Sequence, residues 1–314
     1  LTGIIDAKKL FSEYMGVAQD EIIIMGSASL NIMYDCMARA MLTGVLGSDK
    51  PWGKYEKVKF ICPVPGYDRH FTICEFLGIE MIPVALTEWG PDMDAIEELI
   101  KDETVKGIWC VPKYTNPLGG VYSDEAVKRL AAIKPAAKDF RIFWDNAYAM
   151  HKVYEDVPLL NILDECKKAG NPNMVYMFGS TSKISFPGAG VSFFAASKEN
   201  VAFTTKQLGS QAIGWDKLNM LRHTSFFENV QGIEDIMEKH AAILRPRFDA
   251  VLDALRSELA PREIGDFVVP QGGYFVTYMA PEGCAKRIVA LCKETGVTLT
   301  EAGATHPYGK DPLD

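Results

Sequence analysis

An alternation constrains this chain more than any other feature. Short apolar, β-branched runs recur along it, separated by stretches in which apolar residues return at helical spacing. Seven runs read as strands: residues 21–25, 58–62, 80–86, 107–111, 141–145, 174–178 and 191–196. Several are apolar throughout, as strands covered on both faces should be. Between them Leu30, Met33, Tyr34, Met37 and Met41 form one helical stripe. Pro91-Asp92-Met93-Asp94 opens a second helix, and Ser123-Asp124-Glu125 caps a third. Strands alternating with helices predict an α/β fold with a mostly parallel, seven-stranded sheet.

A long amphipathic helix is predicted from about Glu234 to Leu259, interrupted near Pro246. Beyond it, residues 265–279 and 286–299 read as a strand and a helix of a smaller unit. The expected division is therefore a large domain over 1–245 and a small α+β domain over 246–314, within what 314 residues accommodate. The chain has no initiator Met and no signal peptide, and both ends read as cropped within a domain.

Composition removes several function classes. Hydrophobic residues at 48% and charged residues at 24% exclude a disordered or fibrous chain. No uncharged apolar run approaches the ~20 residues of a membrane helix. A net charge of −8 and a pI near 5.3 argue against a broad nucleic-acid or membrane footprint, while leaving room for a local phosphate pocket. The seven cysteines are odd in number, widely spaced and without a C-x-x-C pair, so neither a disulfide framework nor a zinc site is indicated. A reducing, cytoplasmic setting is expected, and no metal.

In an open parallel sheet ligands bind beyond the carboxyl ends of the strands, so the residues following each strand carry the functional information. The first run ends in Gly26-Ser27-Ala28-Ser29 and enters a helix, a geometry suited to a phosphate or equally to N-capping by Ser27 or Ser29. The second leads to Pro65-Gly66-Tyr67, a ring able to stack on a flat ligand, and on to His70. The fourth ends in a Pro/Gly-fixed loop presenting Asn116. The fifth ends in Asp145-Asn146-Ala147-Tyr148, where a carboxylate after two aromatic residues needs a cationic partner or caps the next helix. The sixth gives Ser180-Thr181-Ser182-Lys183, whose lysine either is solvated or has a lowered pKa suited to bonding an aldehyde. Together they supply a phosphate loop, a stacking ring, an amide, a carboxylate and a lysine, the set needed to hold pyridoxal 5′-phosphate.

With these five motifs, in this order, the sequence resembles the fold-type I, class I aminotransferases, specifically the MocR-like aspartate-aminotransferase branch. The resemblance implies that Lys183 bonds the cofactor aldehyde and shuttles a proton, and that Asp145 pairs with the ring nitrogen. It implies that Asn116 and Tyr148 bind the phenolic oxygen, that Tyr67 stacks on the ring, and that His70 stands behind Asp145. Ser27, Ala28, Ser29, Ser180 and Ser182 would hold the phosphate. A homodimer and ping-pong transfer of an amino group from an amino acid, aspartate first, to 2-oxoglutarate are also implied. Arg222, His223 and the Thr305-His306-Pro307-Tyr308 turn are candidate substrate-side groups, and Gln271-Gly272-Gly273-Tyr274 resembles the family's small-domain strand. One departure stands out: the family's phosphate-binding arginine, eight residues after the lysine, is missing from Pro187-Gly188-Ala189-Gly190-Val191. The substrate-carboxylate arginine would lie beyond Asp314.

Rival motifs fail on their own terms. The S-x-x-K of serine acyl-enzymes lacks its S-D-N and K-T-G partners, Phe193 spoils a G-x-G-x-x-G, and no P-loop occurs. Two alternatives keep the fold. One is the aminotransferase-like sensor of a MocR-type regulator, disfavoured by the acidic balance; the other is a lyase or decarboxylase on the same cofactor.

Overall fold

The computed structural model describes residues 1–313. The chain begins with α1 (Ile5–Met15), β1 (Ile22–Ile24), α2 (Ser29–Thr43), β2 (Lys59–Val64), α3 (Asp68–Phe76), β3 (Glu80–Thr87) and β4 (Gly90–Pro91). It continues through α4 (Met93–Leu99), β5 (Val105–Cys110), α5 (Asp124–Ala132), β6 (Arg141–Asp145), α6 (Ile162–Lys168), β7 (Val175–Ser180) and β8 (Ser192–Ala195). Then come α7 (Lys198–Leu208), α8 (Lys217–Phe227), α9 (Val230–Ala254), β9 (Asp266–Phe267), β10 (Tyr278–Met279) and α10 (Ala285–Glu294).

All seven expected strands are present in one sheet of order β1-β8-β7-β6-β5-β2-β3-β4. The central strands β3, β2, β5, β6 and β7 are mutually parallel, whereas β8, β1 and β4 join antiparallel at the margins. The eighth strand is β4, only Gly90–Pro91, a pair that carries no apolar run and tolerates only an edge position. Neighbouring residues within a strand enter different cores. Ile61, Ile108, Ile142 and Trp144 face one side with α1, α5 and α6, while Phe60, Cys62, Trp109 and Phe143 face the other with α2 and α3. Burial on both faces is why these strands read as unbroken apolar runs.

Local signals set the helix starts. The Asp92 side chain accepts from the Ala95 amide at α4, and Ser123 accepts from Ala126 at α5. The interruption expected at Pro246 is absent: α9 runs through it as one helix, with Ala241, Phe248 and Leu252 packed on either side. Tertiary packing outweighs the one backbone hydrogen bond that proline removes. The smaller C-terminal segment holds the two-stranded β9–β10 ladder and α10, which stops at Glu294 rather than near 299.

Candidate active site

β1 and β7 run in the same direction, so the loops after β1, β2, β5, β6 and β7 open on one edge of the sheet. At one side of that edge, Gly26-Ser27 leads into α2. Ala28 is the N-cap residue and no side chain caps the helix, so neither Ser27 nor Ser29 takes the capping role open to it. The first-turn amides of this 15-residue helix keep their anion-binding character. Ser182 Oγ donates to the Ser27 carbonyl at 2.7 Å, bringing the lysine loop against this turn. Gly190 completes the cradle: a Cβ there would lie 3.0 Å from the Ser182 amide nitrogen and the Ser27 oxygen. Ser180 closes β7, half-buried, in register with Ser192. At position 191, Val191 is buried and gives its amide to Thr181 Oγ1 at 2.9 Å, so no charge comes from there.

Asp145 ends β6 fully inside the protein. Its Oδ2 lies 3.2 Å from His70 Nε2, while Oδ1 has no hydrogen-bond partner among the described residues. The His70 ring stacks on Trp109 at 4.3 Å, which fixes the imidazole behind the carboxylate, and Tyr67 meets His70 edge-on at 5.1 Å. A buried carboxylate oxygen without a donor is costly, and this one keeps its accepting capacity unused among the described residues.

Tyr148, three residues on, is buried, and its phenol is pushed well up by burial and then by the Asp145 and Tyr67 charges, with the Asn116 side chain pulling the other way. Asn116 is half-buried in a loop anchored at Tyr114, whose left-handed φ of 50° is held by a 3.1 Å hydrogen bond from its hydroxyl to Asp156. Lys183 Nζ lies 4.5 Å from the Tyr148 ring centre. Part of the Lys183 side chain meets solvent, yet its ammonium is surrounded closely enough that burial lowers its pKa, with Asp145 opposing. Burial thus favours the neutral amine that an aldehyde needs.

The tertiary structure adds side chains that the motifs did not reveal. His151 Nε2 lies 3.3 Å from the Lys183 carbonyl, and the Tyr274 hydroxyl donates to the same oxygen at 3.0 Å. A carbonyl only accepts, so His151 carries its proton on Nε2, and its Nδ1 is buried without a partner. Burial first, then the Lys183 charge, hold His151 down to about 3, so it is neutral. Its spacing of three residues after Tyr148 was the available signal. Gln271 to Tyr274 lie over His151: the Gly273 amide donates to the His151 carbonyl at 2.7 Å, and Gly272 bridges Lys152. Of the other candidates, Arg222 is exposed on α8, His223 is buried against Ser185, and Thr305 accepts from the Gly66 amide at 2.8 Å. His306 lies 3.8 Å from Asp311. Among the described residues no group of His, Cys, Asp and Glu is arranged to hold a metal ion, and no helix is long and apolar enough to cross a membrane.

Comparison with known proteins agrees with this geometry. A family profile described as aspartate amino-transferase matches residues 1–314. An aspartate aminotransferase of Corynebacterium glutamicum is 45% identical over 313 residues, covering 99% of this chain and 72% of the relative. A crystallised aspartate transaminase from C. glutamicum superposes with a TM-score of 0.97 at 45% identity, covering 100% of this chain and 74% of that one. The α-aminoadipate aminotransferase of Thermus thermophilus, solved with N-(5′-phosphopyridoxyl)-L-leucine, shares the fold at a TM-score of 0.80 and 22% identity, over 99% and 75% of the two chains. With the profile spanning the whole chain and a relative matched along nearly all of it, this chain belongs to the aspartate aminotransferase family.

Proposed function

We propose that the chain is a pyridoxal-phosphate-dependent aminotransferase that takes its amino group from aspartate and passes it to 2-oxoglutarate. The observation that carries the reading is the buried Asp145, with His70 on one oxygen and the other oxygen unpartnered, sharing a site with a lysine whose ammonium is disfavoured by burial. When bound, the cofactor supplies an electron sink for the substrate's Cα–H bond. The free Asp145 oxygen would accept from its ring nitrogen, with His70 keeping that carboxylate oriented. Tyr67 would cover the ring face, and Asn116 with Tyr148 would bind its phenolic oxygen. The amides at the start of α2, with Ser27, Ala28, Ser29, Ser180 and Ser182, take the phosphate around the Gly190 cradle. Lys183 would hold the cofactor at its aldehyde carbon, and its amine would be the group that moves the proton at the substrate's Cα.

The same reading includes a homodimer and a cytoplasmic setting, the latter supported by seven free cysteines, five of them buried. It also includes a division near residue 245, inside α9. What supports it is where the sheet's core stops: apart from prolines, no apolar side chain after Leu252 is buried among the described residues.

The test is an absorption spectrum of the protein with added cofactor, before and after L-aspartate without an acceptor. A visible band that bleaches on aspartate supports cofactor, lysine and donor together. A band that ignores aspartate but bleaches with another amino acid removes aspartate, and no band at all removes the assignment of Lys183.

A further inference from the structure

The lysine loop has few apolar anchors. Ile184 and Val191 are buried, but Phe186, Pro187, Gly188 and Ala189 are exposed, so packing alone leaves its path weakly specified. Hydrogen bonds from α8 supply what packing does not. His223 Nδ1 lies 2.9 Å from the Asn219 carbonyl, which only accepts, so Nδ1 carries a proton and, in the neutral imidazole, Nε2 is the acceptor. Ser185 Oγ, 2.8 Å from Nε2, can therefore donate to it, and the Thr181 carbonyl at 3.2 Å competes for the same proton. Ser185 Oγ also lies 3.1 Å from Thr181 Oγ1, which accepts from the Val191 amide at 2.9 Å. The path closes through Asn219, whose side-chain amide donates to the Ala189 and Gly190 carbonyls at 3.1 and 2.9 Å.

We propose that Asn219 and His223 are positioning residues for Lys183 and for the phosphate side of the site, acting through this closed run of hydrogen bonds. Lys183 sits inside the single turn between Thr181 and Ser185, whose carbonyl and amide are themselves bonded at 2.8 Å. Gly190, at the other limb, is the wall that a Cβ would push into Ser27 and Ser182. One helix thus sets both limbs, in the stretch where the resemblance led to an arginine and the chain has none. The inference rests on the proposed function, because it takes Lys183 as the cofactor's partner.

The experiment measures the dissociation constant of pyridoxal phosphate from the apoprotein, the pH at which the visible band changes, and the melting temperature. The variants are Ser185→Ala, His223→Phe, their combination and His223→Gln. Ser185→Ala and His223→Phe should each weaken cofactor binding about tenfold and shift the pH of the band change. The double variant should be no worse than the poorer single one, because both break the same bond. His223→Gln, which keeps an acceptor for Ser185, should recover part of the loss. A lower melting temperature with cofactor affinity and band pH unchanged would overturn the proposal, as would additive losses in the double variant. Should His223→Phe fail to fold, Ser185→Ala decides the same bond. A wild-type protein with no band removes the Lys183 assignment itself; a wild-type band with unaffected variants removes only the role of α8.

Discussion

Lys183 stands between two opposed influences, burial that discharges it and the Asp145 carboxylate that holds its charge. Removing the amine leaves both the sheet and the phosphate cradle in place. Lys183→Ala should therefore fold normally, lose the visible cofactor band and lose turnover by at least about a thousandfold, checked by spectrum, melting curve and coupled assay. His151 makes a separate prediction at this scale. Its ordinary value of 6.5 falls to about 3 in the folded chain, chiefly through burial. Between those values the unfolded chain binds the proton and the native one does not, so stability rises with pH across that window. Acidification from 6.5 toward 3 should cost up to about 1.4 kcal/mol per pH unit from this residue, and His151→Gln should flatten that slope in denaturant titrations run at several pH values. An unchanged slope would show that the histidine is already charged in the native state.

At the scale of elements, the segment from Pro270 to Thr277 ties two active-site loops together. The Thr277 hydroxyl bonds the Pro117 carbonyl beside Asn116, and the Tyr274 hydroxyl bonds the Lys183 carbonyl. Gly272 lets the segment lie close: a Cβ there would stand 2.3 Å from the His151 carbonyl oxygen and 2.7 Å from the Tyr114 ring. Backbone cannot yield cheaply, so Gly272→Ala should cost about 1–3 kcal/mol. Activity should fall along with stability, since both loops must shift, and a denaturation midpoint measured beside kcat checks the pairing. Loss of stability with kcat intact would mean that the strap only packs. The helix caps at Asp92 and Ser123 were legible beforehand because a cap is a local event, one side chain meeting an amide three residues on. The strap was not, because its contacts join residues far apart in the chain.

Across the whole molecule the sheet has a working end and a structural end. Near the amino ends of β5 and β6, buried Lys106 pairs with Asp139 at 2.8 Å, and Trp52 Nε1 and Ser48 Oγ bond the other Asp139 oxygen at 3.0 and 2.9 Å. Asp139→Ala leaves a buried ammonium alone and should cost about 3–5 kcal/mol. Cofactor affinity at the opposite edge should stay within about twofold below the new melting point, as calorimetry and cofactor titration would show. The seven strand runs and the mostly parallel sheet could be read from sequence because strands covered on both faces leave unbroken apolar runs, and the helices between them an apolar stripe at helical spacing. That Ser27, Tyr67, Asn116, Asp145 and Lys183 share one edge could be read as well, since parallel strands place their carboxyl ends together; their order could not, because β1 lies beyond β8 and brings Ser27 to the Lys183 side rather than beside Tyr67. Folding alone decided which atoms meet. Ser182 finds Ser27 across 155 residues. Tyr274 reaches the Lys183 carbonyl across 91, where His151 joins it from 32. Periodicity reports which face of an element is buried, but a hydrogen bond between distant residues leaves no period or spacing behind, and only the packed chain supplies its partner.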